Sequence, residues 1–148
     1  VPGLTAAPLG EIAHVIQLAI APVFLLTAVC TLLNVLTNRL GRVVDRRRLL
    51  VARLPELDPA TCTSAKSELV YVERRGKLIY IAIALAVLCA LLICLLIAGA
   101  FVDAFVRYDF SKEIAALFVA AMLALIGSLA AFLREVFLGV STVRCPII

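Results

Sequence analysis

Three stretches of the chain carry no charged residue: Ile12–Asn38, Leu78–Val102 and Ile114–Leu133. Their apolar positions are continuous. They do not alternate as the two faces of a half-buried strand would. A bilayer core of about 30 Å needs about 20 helical residues at about 1.5 Å each, and all three runs are long enough. Open strands cannot satisfy their backbone groups in lipid. The pattern predicts an all-α integral membrane protein with three transmembrane helices, at about 12–38, 78–102 and 114–133.

The polar positions add detail to the first helix. At about 100° per residue, Thr27, Thr31, Asn34, Asn38 and Asp45 share one narrow face, with Cys30 and Gly41 at its edge. Leu40, Val43, Val44, Leu50, Val51 and Leu54 form a second face. Arg39, Arg42, Arg46 and Arg53 form a third. These faces hold their phase well past Arg39, where the apolar run ends. A helix that stopped there would have no reason to keep phase. One helix is therefore expected from about Ile12 to Leu54, bent at Pro22 and ended by Pro55.

The segment "LPELDPATCTS", 54–64, reads as the loop. Asp58 ahead of Pro59, or Ser64, can cap the next helix. Leu69, Val72, Gly76, Ile79 and Ile83 then form one face that runs into the second span. Glu73 and Lys77 are spaced for an i,i+4 surface pair. These patterns predict a helical hairpin at about 39–77, between helices one and two, projecting ~25 Å from the membrane. In the third helix, Ala116, Ala120, Ala124, Gly127 and Ala131 make a stripe of small residues suited to helix packing in lipid. Ser111 can cap that helix and Glu113 suits its first turn. Gly139 and Pro146 predict that order fades beyond it.

Composition agrees with the pattern. The 148 residues are 64% hydrophobic, with mean hydropathy +1.14, whereas a soluble domain is nearer half apolar. Residues 1–148 read as a single membrane domain. The first run lacks a basic n-region and is too long for a removable signal peptide. Charge sets the expected orientation. Ten of the fourteen basic residues lie between helices one and two, and only Arg107 and Lys112 lie between two and three. Lys and Arg favour the cytoplasmic side. The N-terminus is thus expected outside and the hairpin and C-terminus inside, with Phe105, Tyr108 and Phe110 at the outer interface.

Little in the sequence points to chemistry. His14 is the sole histidine and has no carboxylate or cysteine at ligand spacing, so it reads as an interfacial polar residue. Cys30, Cys62, Cys89, Cys94 and Cys145 form no C-x-x-C pair, and those inside spans act as small apolar residues. Ser128 has no base near it on its helix. There is no glycine-rich phosphate loop. Arg134 beside Glu135 reads as the end of a span. No enzyme activity, cofactor or metal is expected. The basic segment holds one aromatic, Tyr71, and five acidic residues, a poor match to a nucleic-acid surface. Arg39, Arg42, Arg46, Arg74 and Arg75 suit contact with anionic lipid headgroups, at about 1 kcal/mol per basic residue.

The stripe Thr27, Thr31, Asn34, Asn38 and Asp45 has two readings. Polar residues in a span face protein or water. The side chains either hydrogen-bond between helices or line a water-filled path in an oligomer. Both bury the stripe, and both are compatible with self-association.

The stretch "IAHVIQLAIAPVFLLTAVCTLLNVLTNRLGRVVDR", 12–46, with "FLREV" at 132–136, resembles a bacterial membrane family known as domain of unknown function twenty-seven twenty-one. The resemblance implies a small helical protein of the bacterial cytoplasmic membrane and implies no activity. The expected function is that of a self-assembling membrane protein, with interhelical packing the favoured reading of the stripe and a channel-like oligomer lined by helix one the other. An accessory subunit of a larger membrane complex is the alternative, and a membrane enzyme comes third.

Overall fold

A computed structural model describes residues 6–56, 58–106 and 111–143. The described chain is all helical. Helix α1 covers Ala6–Arg53, a single 3-10 turn covers Leu54–Glu56, α2 covers Pro59–Val106 and α3 covers Ser111–Val143. The helix breaks fall where backbone chemistry puts them. Pro55 sits in the turn, where its missing N–H removes no helix bond. Of the two possible caps for α2, the structure uses the first. Pro59 opens the helix, and the Cys62 N–H donates to the Asp58 carbonyl at 2.8 Å, closing the first turn. Ser111 opens α3 with Glu113 in the first turn, where a carboxylate meets the positive end of the helix dipole.

Three boundaries differ from expectation. Helix α1 starts at Ala6, ahead of Ile12, and, as expected, runs on past Pro22. Helix α3 passes through Gly139 to Val143. There, Tyr71 donates its hydroxyl to the Leu138 carbonyl, which holds the last turns of α3 against α2. Finally, no cytoplasmic hairpin is evident as an element between the first two helices. Residues 39–53 and 59–77 are the ends of α1 and α2 themselves, because nothing between Pro22 and Arg53, or between Pro59 and Val106, breaks the backbone ladder.

The three helices are long and apolar enough to cross a membrane, over Ile12–Glu56, Pro59–Asp103 and Ser111–Val140. At most 28% of the most apolar window in each is buried by the chain itself. In water such surface would drive aggregation. A lipid-like surround or other chains must cover it.

The residues group into two compact units. The first holds Val1–Leu32 and Ala86–Leu125. Val29, Ala86, Cys89, Ile93 and Ala121 are fully buried in it. Three of these are small, which lets backbones approach closely.

The second unit holds Leu33–Leu85 and Ile126–Ile148. Leu36, Ile79, Ala82, Ser128 and Glu135 are fully buried in it. The apolar faces of α1 and α2 meet here: a Cβ added at Gly76 would lie 3.5 Å from Val43 Cγ1. Two ion pairs join the same helices, Arg46 to Glu68 at 2.5 Å and Arg47 to Glu73 at 3.4 Å. Glu73 thus reaches across to α1 and not along its own helix to Lys77. The Ser128 hydroxyl donates to the Ala82 carbonyl at 2.7 Å and ties α3 to α2.

Continuity of α1 through its basic part can be measured. Gly41 is exposed, and a Cβ there would meet nothing within 4 Å. Gly41→Ala should stabilise by about 0.5–1 kcal/mol, because glycine loses more freedom on entering a helix. Gly41→Pro should destabilise by about 3 kcal/mol. Thermal midpoints in mild detergent, followed by helical circular dichroism, should move in opposite directions. A Gly41→Pro chain that melts like the parent would contradict an unbroken helix.

Candidate functional site

Glu135 lies on α3, seven residues after Ser128 and fourteen after Ala121. Seven residues are close to two helical turns, so the three share a face, and that face is buried. The Glu135 side chain is 0% exposed. A carboxylate in such a place must be paired and hydrogen-bonded. Arg39 on α1 donates from Nη1 to Oε2 at 2.5 Å. Arg75 on α2 donates from Nε and Nη2 to Oε1, at 3.0 and 2.5 Å. Both carboxylate oxygens are therefore used, and one residue binds all three helices.

The arginines are themselves held. The Arg39 guanidinium lies over the Phe132 ring, 5.1 Å from its centroid, and Arg75 lies 6.0 Å from that of Tyr71. Both contacts are in cation–π range. Gly139 backs onto Arg75, where an added Cβ would sit 3.1 Å from Nη2. Among the described residues, no buried side-chain nitrogen or oxygen lacks a hydrogen-bond partner.

A cleft of about 360 Å³ opens beside the carboxylate. Arg39, Arg42, Arg46, Val43, Val72, Arg75 and Glu135 line it. Arg46 also donates to Glu68 from Nε and Nη2. The lining is rich in cationic donors, and an anion is the species such donors attract.

Of the arginines expected at lipid headgroups, Arg39 and Arg75 thus hold Glu135, Arg42 and Arg46 line the cleft, and Arg74 is exposed outside it. The residues of the polar stripe are all exposed in the single chain. In the first unit, Thr27 donates to the Val23 carbonyl at 3.2 Å and Thr31 to that of Thr27 at 3.0 Å. In the second, Asn38 Nδ2 reaches Asn34 Oδ1 at 3.4 Å. None of the five packs against α2 or α3 through these bonds. The small-residue stripe divides as well. Ala124 is buried, Gly127 and Ala131 are half-buried, and Ala116 and Ala120 are exposed.

His14 is exposed and borders a separate, largely apolar cleft of about 580 Å³ with Asp103, Ser111 and Phe118. Among the described residues, no group of three or more His, Cys, Asp or Glu side chains is placed to hold a metal. Cys30, Cys62, Cys89 and Cys94 are free thiols. Arg107, Tyr108, Phe110, Arg144, Cys145 and Pro146 lie outside the described residues, as does the side chain of Phe105.

The sequence reading missed Glu135 as a partner for two arginines. A signal was present: it is the sole acidic residue after Glu113, and it is in phase with Ser128.

A family model described as a protein of unknown function (DUF2721) matches residues 19–145. No curated protein and no solved structure matches the chain.

Removing the central carboxylate should be expensive. Glu135→Ala leaves the guanidinium groups of Arg39 and Arg75 without their shared anion. Breaking a buried pair in this way costs about 3–5 kcal/mol. Glu113→Ala, at an exposed position, should change stability by less than about 0.5–1 kcal/mol. Thermal unfolding of the two variants side by side tests the contrast, and equal midpoints would argue against the clamp.

Proposed function

The chain belongs to the DUF2721 family of proteins of unknown function, and on that premise we propose that it is a self-assembling protein of the bacterial cytoplasmic membrane, and not an enzyme. One observation carries the reading: Asn34 and Asn38 are exposed polar amides on a helix long and apolar enough to cross a bilayer.

An amide offers two donors and two acceptor lone pairs. The contact between Asn38 and Asn34 uses one of each, and the remaining groups find no partner in lipid. The nearby threonines are different. Thr27, Thr31 and Thr37 turn their hydroxyls onto carbonyls of their own helix. That leaves the asparagines as the groups that call for another chain. A second copy supplies the same amides at the same depth, and each interhelical bond contributes ~0.6 kcal/mol on average. Asp45, exposed two turns further along, extends the polar face toward the basic end. If several copies turn these faces to a common axis, the assembly is channel-like.

Charge gives the orientation. The basic residues of 39–77 favour the cytoplasm, where they lie beside anionic lipid headgroups. The N-terminal end of α1 lies outside. Nucleic acid is not a partner in this reading. The alternative, an accessory subunit of a larger complex, draws on Ala116 and Ala120, which are exposed on α3 and suited to close packing with another helix.

Two measurements test these points. Asn34→Leu should weaken the oligomer, seen as a shift toward the monomer mass in mild detergent. That is the outcome if the face packs helices together; if it instead lines a path, the parent should pass ions in liposomes and the same change should block conduction with the oligomer intact. A parent chain that is monomeric in both settings would end the self-assembly reading. For orientation, a chain whose sole cysteine is Cys62, which is half-buried near the α1–α2 turn, should react with impermeant thiol reagents only when the cytoplasmic face is opened. Reaction in intact cells would invert the topology.

A further inference from the structure

We propose that the arginine-lined cleft beside Glu135 is a binding site for a phosphate group, held by Arg39, Arg42 and Arg75. Surplus charge is the first reason. One arginine neutralises one carboxylate, yet Glu135 holds two. Arg42 and Arg46 line the same cleft, and Arg46 is matched by Glu68. Four arginines against Glu135 and Glu68 leave two positive charges unmatched. Like charges gathered in one cleft repel, and a bound anion offsets that repulsion.

Unused donors are the second reason. A guanidinium carries five N–H groups. Arg39 turns Nη1 to Glu135, which leaves Nε and Nη2. Arg75 uses Nε and Nη2, which leaves Nη1. Arg42 makes no hydrogen bond or ion pair among the described residues. The free edges of Arg39 and Arg75 are also fixed in place, because the buried carboxylate and the Phe132 and Tyr71 rings restrain them. Preorganised donors lose little freedom on binding.

The ligand class follows from number and shape. A phosphate group sets its oxygens tetrahedrally: free phosphate or a monoester exposes three or four with one or two negative charges, and a phosphodiester two non-bridging ones and two ester ones with one charge. Such a group matches several guanidinium forks at once, whereas a carboxylate offers two oxygens and one charge. The volume of about 360 Å³ is within the ~300–1,000 Å³ of small-ligand sites. The same chemistry comes from a lipid headgroup or from a free phosphate. The site lies within one chain, so it stands or falls separately from self-assembly.

The test uses the full chain in non-ionic detergent at constant ionic strength. Inorganic phosphate is titrated against chloride in one arm, and phosphatidylglycerol in mixed micelles in the other. The thermal midpoint is the readout. The parent should show a saturable rise in at least one arm. Arg42→Gln should weaken the apparent affinity about tenfold or more, as expected for losing a charge-assisted bond. Arg48→Gln removes the same charge at an exposed position outside the cleft and should leave the affinity unchanged. Saturation by inorganic phosphate assigns the site to a free phosphate. Saturation by phosphatidylglycerol alone assigns it to a headgroup. No saturable response in either arm, an unchanged affinity in Arg42→Gln, or an equal loss in both variants overturns the proposal.

Discussion

A buried carboxylate shared by two arginines is the constraint around which the second unit is arranged. Glu135 comes from α3, Arg39 from α1 and Arg75 from α2. Apolar packing between long helices is permissive: a helix can slide or turn by a fraction of a residue and still bury similar area. An ion cluster with three hydrogen bonds, two of them short, is not permissive. It has one arrangement in which both oxygens are used, and in any other a charge is left without a partner in a poor dielectric. The cluster therefore sets the register of the three helices, while Leu36, Ile79 and Ala82 fill the space around it. Ser128 repeats the device one level along α3 with a neutral bond to Ala82.

Much of the fold was legible because its signals are local. Runs without charge mark the long helices, and Pro55 and Pro59 mark the turn between α1 and α2. The phase of Leu40, Val43 and Leu50 showed that α1 continues into its basic part, and those residues are half-buried or buried. The site was only half legible. Arg39, Arg42 and Arg46 fall on one face in the sequence, and they do line one cleft. The acceptor of Arg39 is remote, 96 residues away, and helical periodicity does not report which faces of different helices meet. Next to Arg134, Glu135 reads as half of a local pair at a helix end. The alanine stripe of α3 was ambiguous for a related reason. Alanine suits lipid and helix interfaces alike, so Ala116 and Ala120 can be exposed while Ala121 and Ala124 are buried. Ser128 and Glu135 carry the sharper information, since a polar group on an apolar helix needs a partner.

The chain thus contains polarity of two kinds. That of Glu135 and Ser128 is closed within one molecule. That of Asn34 and Asn38 remains partly open on the surface of α1. The first kind fixes a fold. The second fixes nothing until something else arrives, and it is the kind from which assembly is proposed to follow. The cleft beside Glu135 is intermediate: its lining is anchored by closed bonds, yet its free guanidinium edges are open.

Gly139 has a consequence for which sequences can support this arrangement. The atom nearest to its missing side chain is Arg75 Nη2, which is also the donor that meets Glu135 at 2.5 Å. A methyl group at 139 would press on that nitrogen from the side opposite the carboxylate or across its path. Either the arginine tilts and its short bond lengthens, or α3 moves outward and takes the acceptor with it. The geometry of an ion cluster is thereby made sensitive to a position that carries no charge and makes no hydrogen bond through a side chain. Sequence variation at 139 and at 75 should accordingly be correlated, with larger residues at the first accompanied by shorter or uncharged ones at the second.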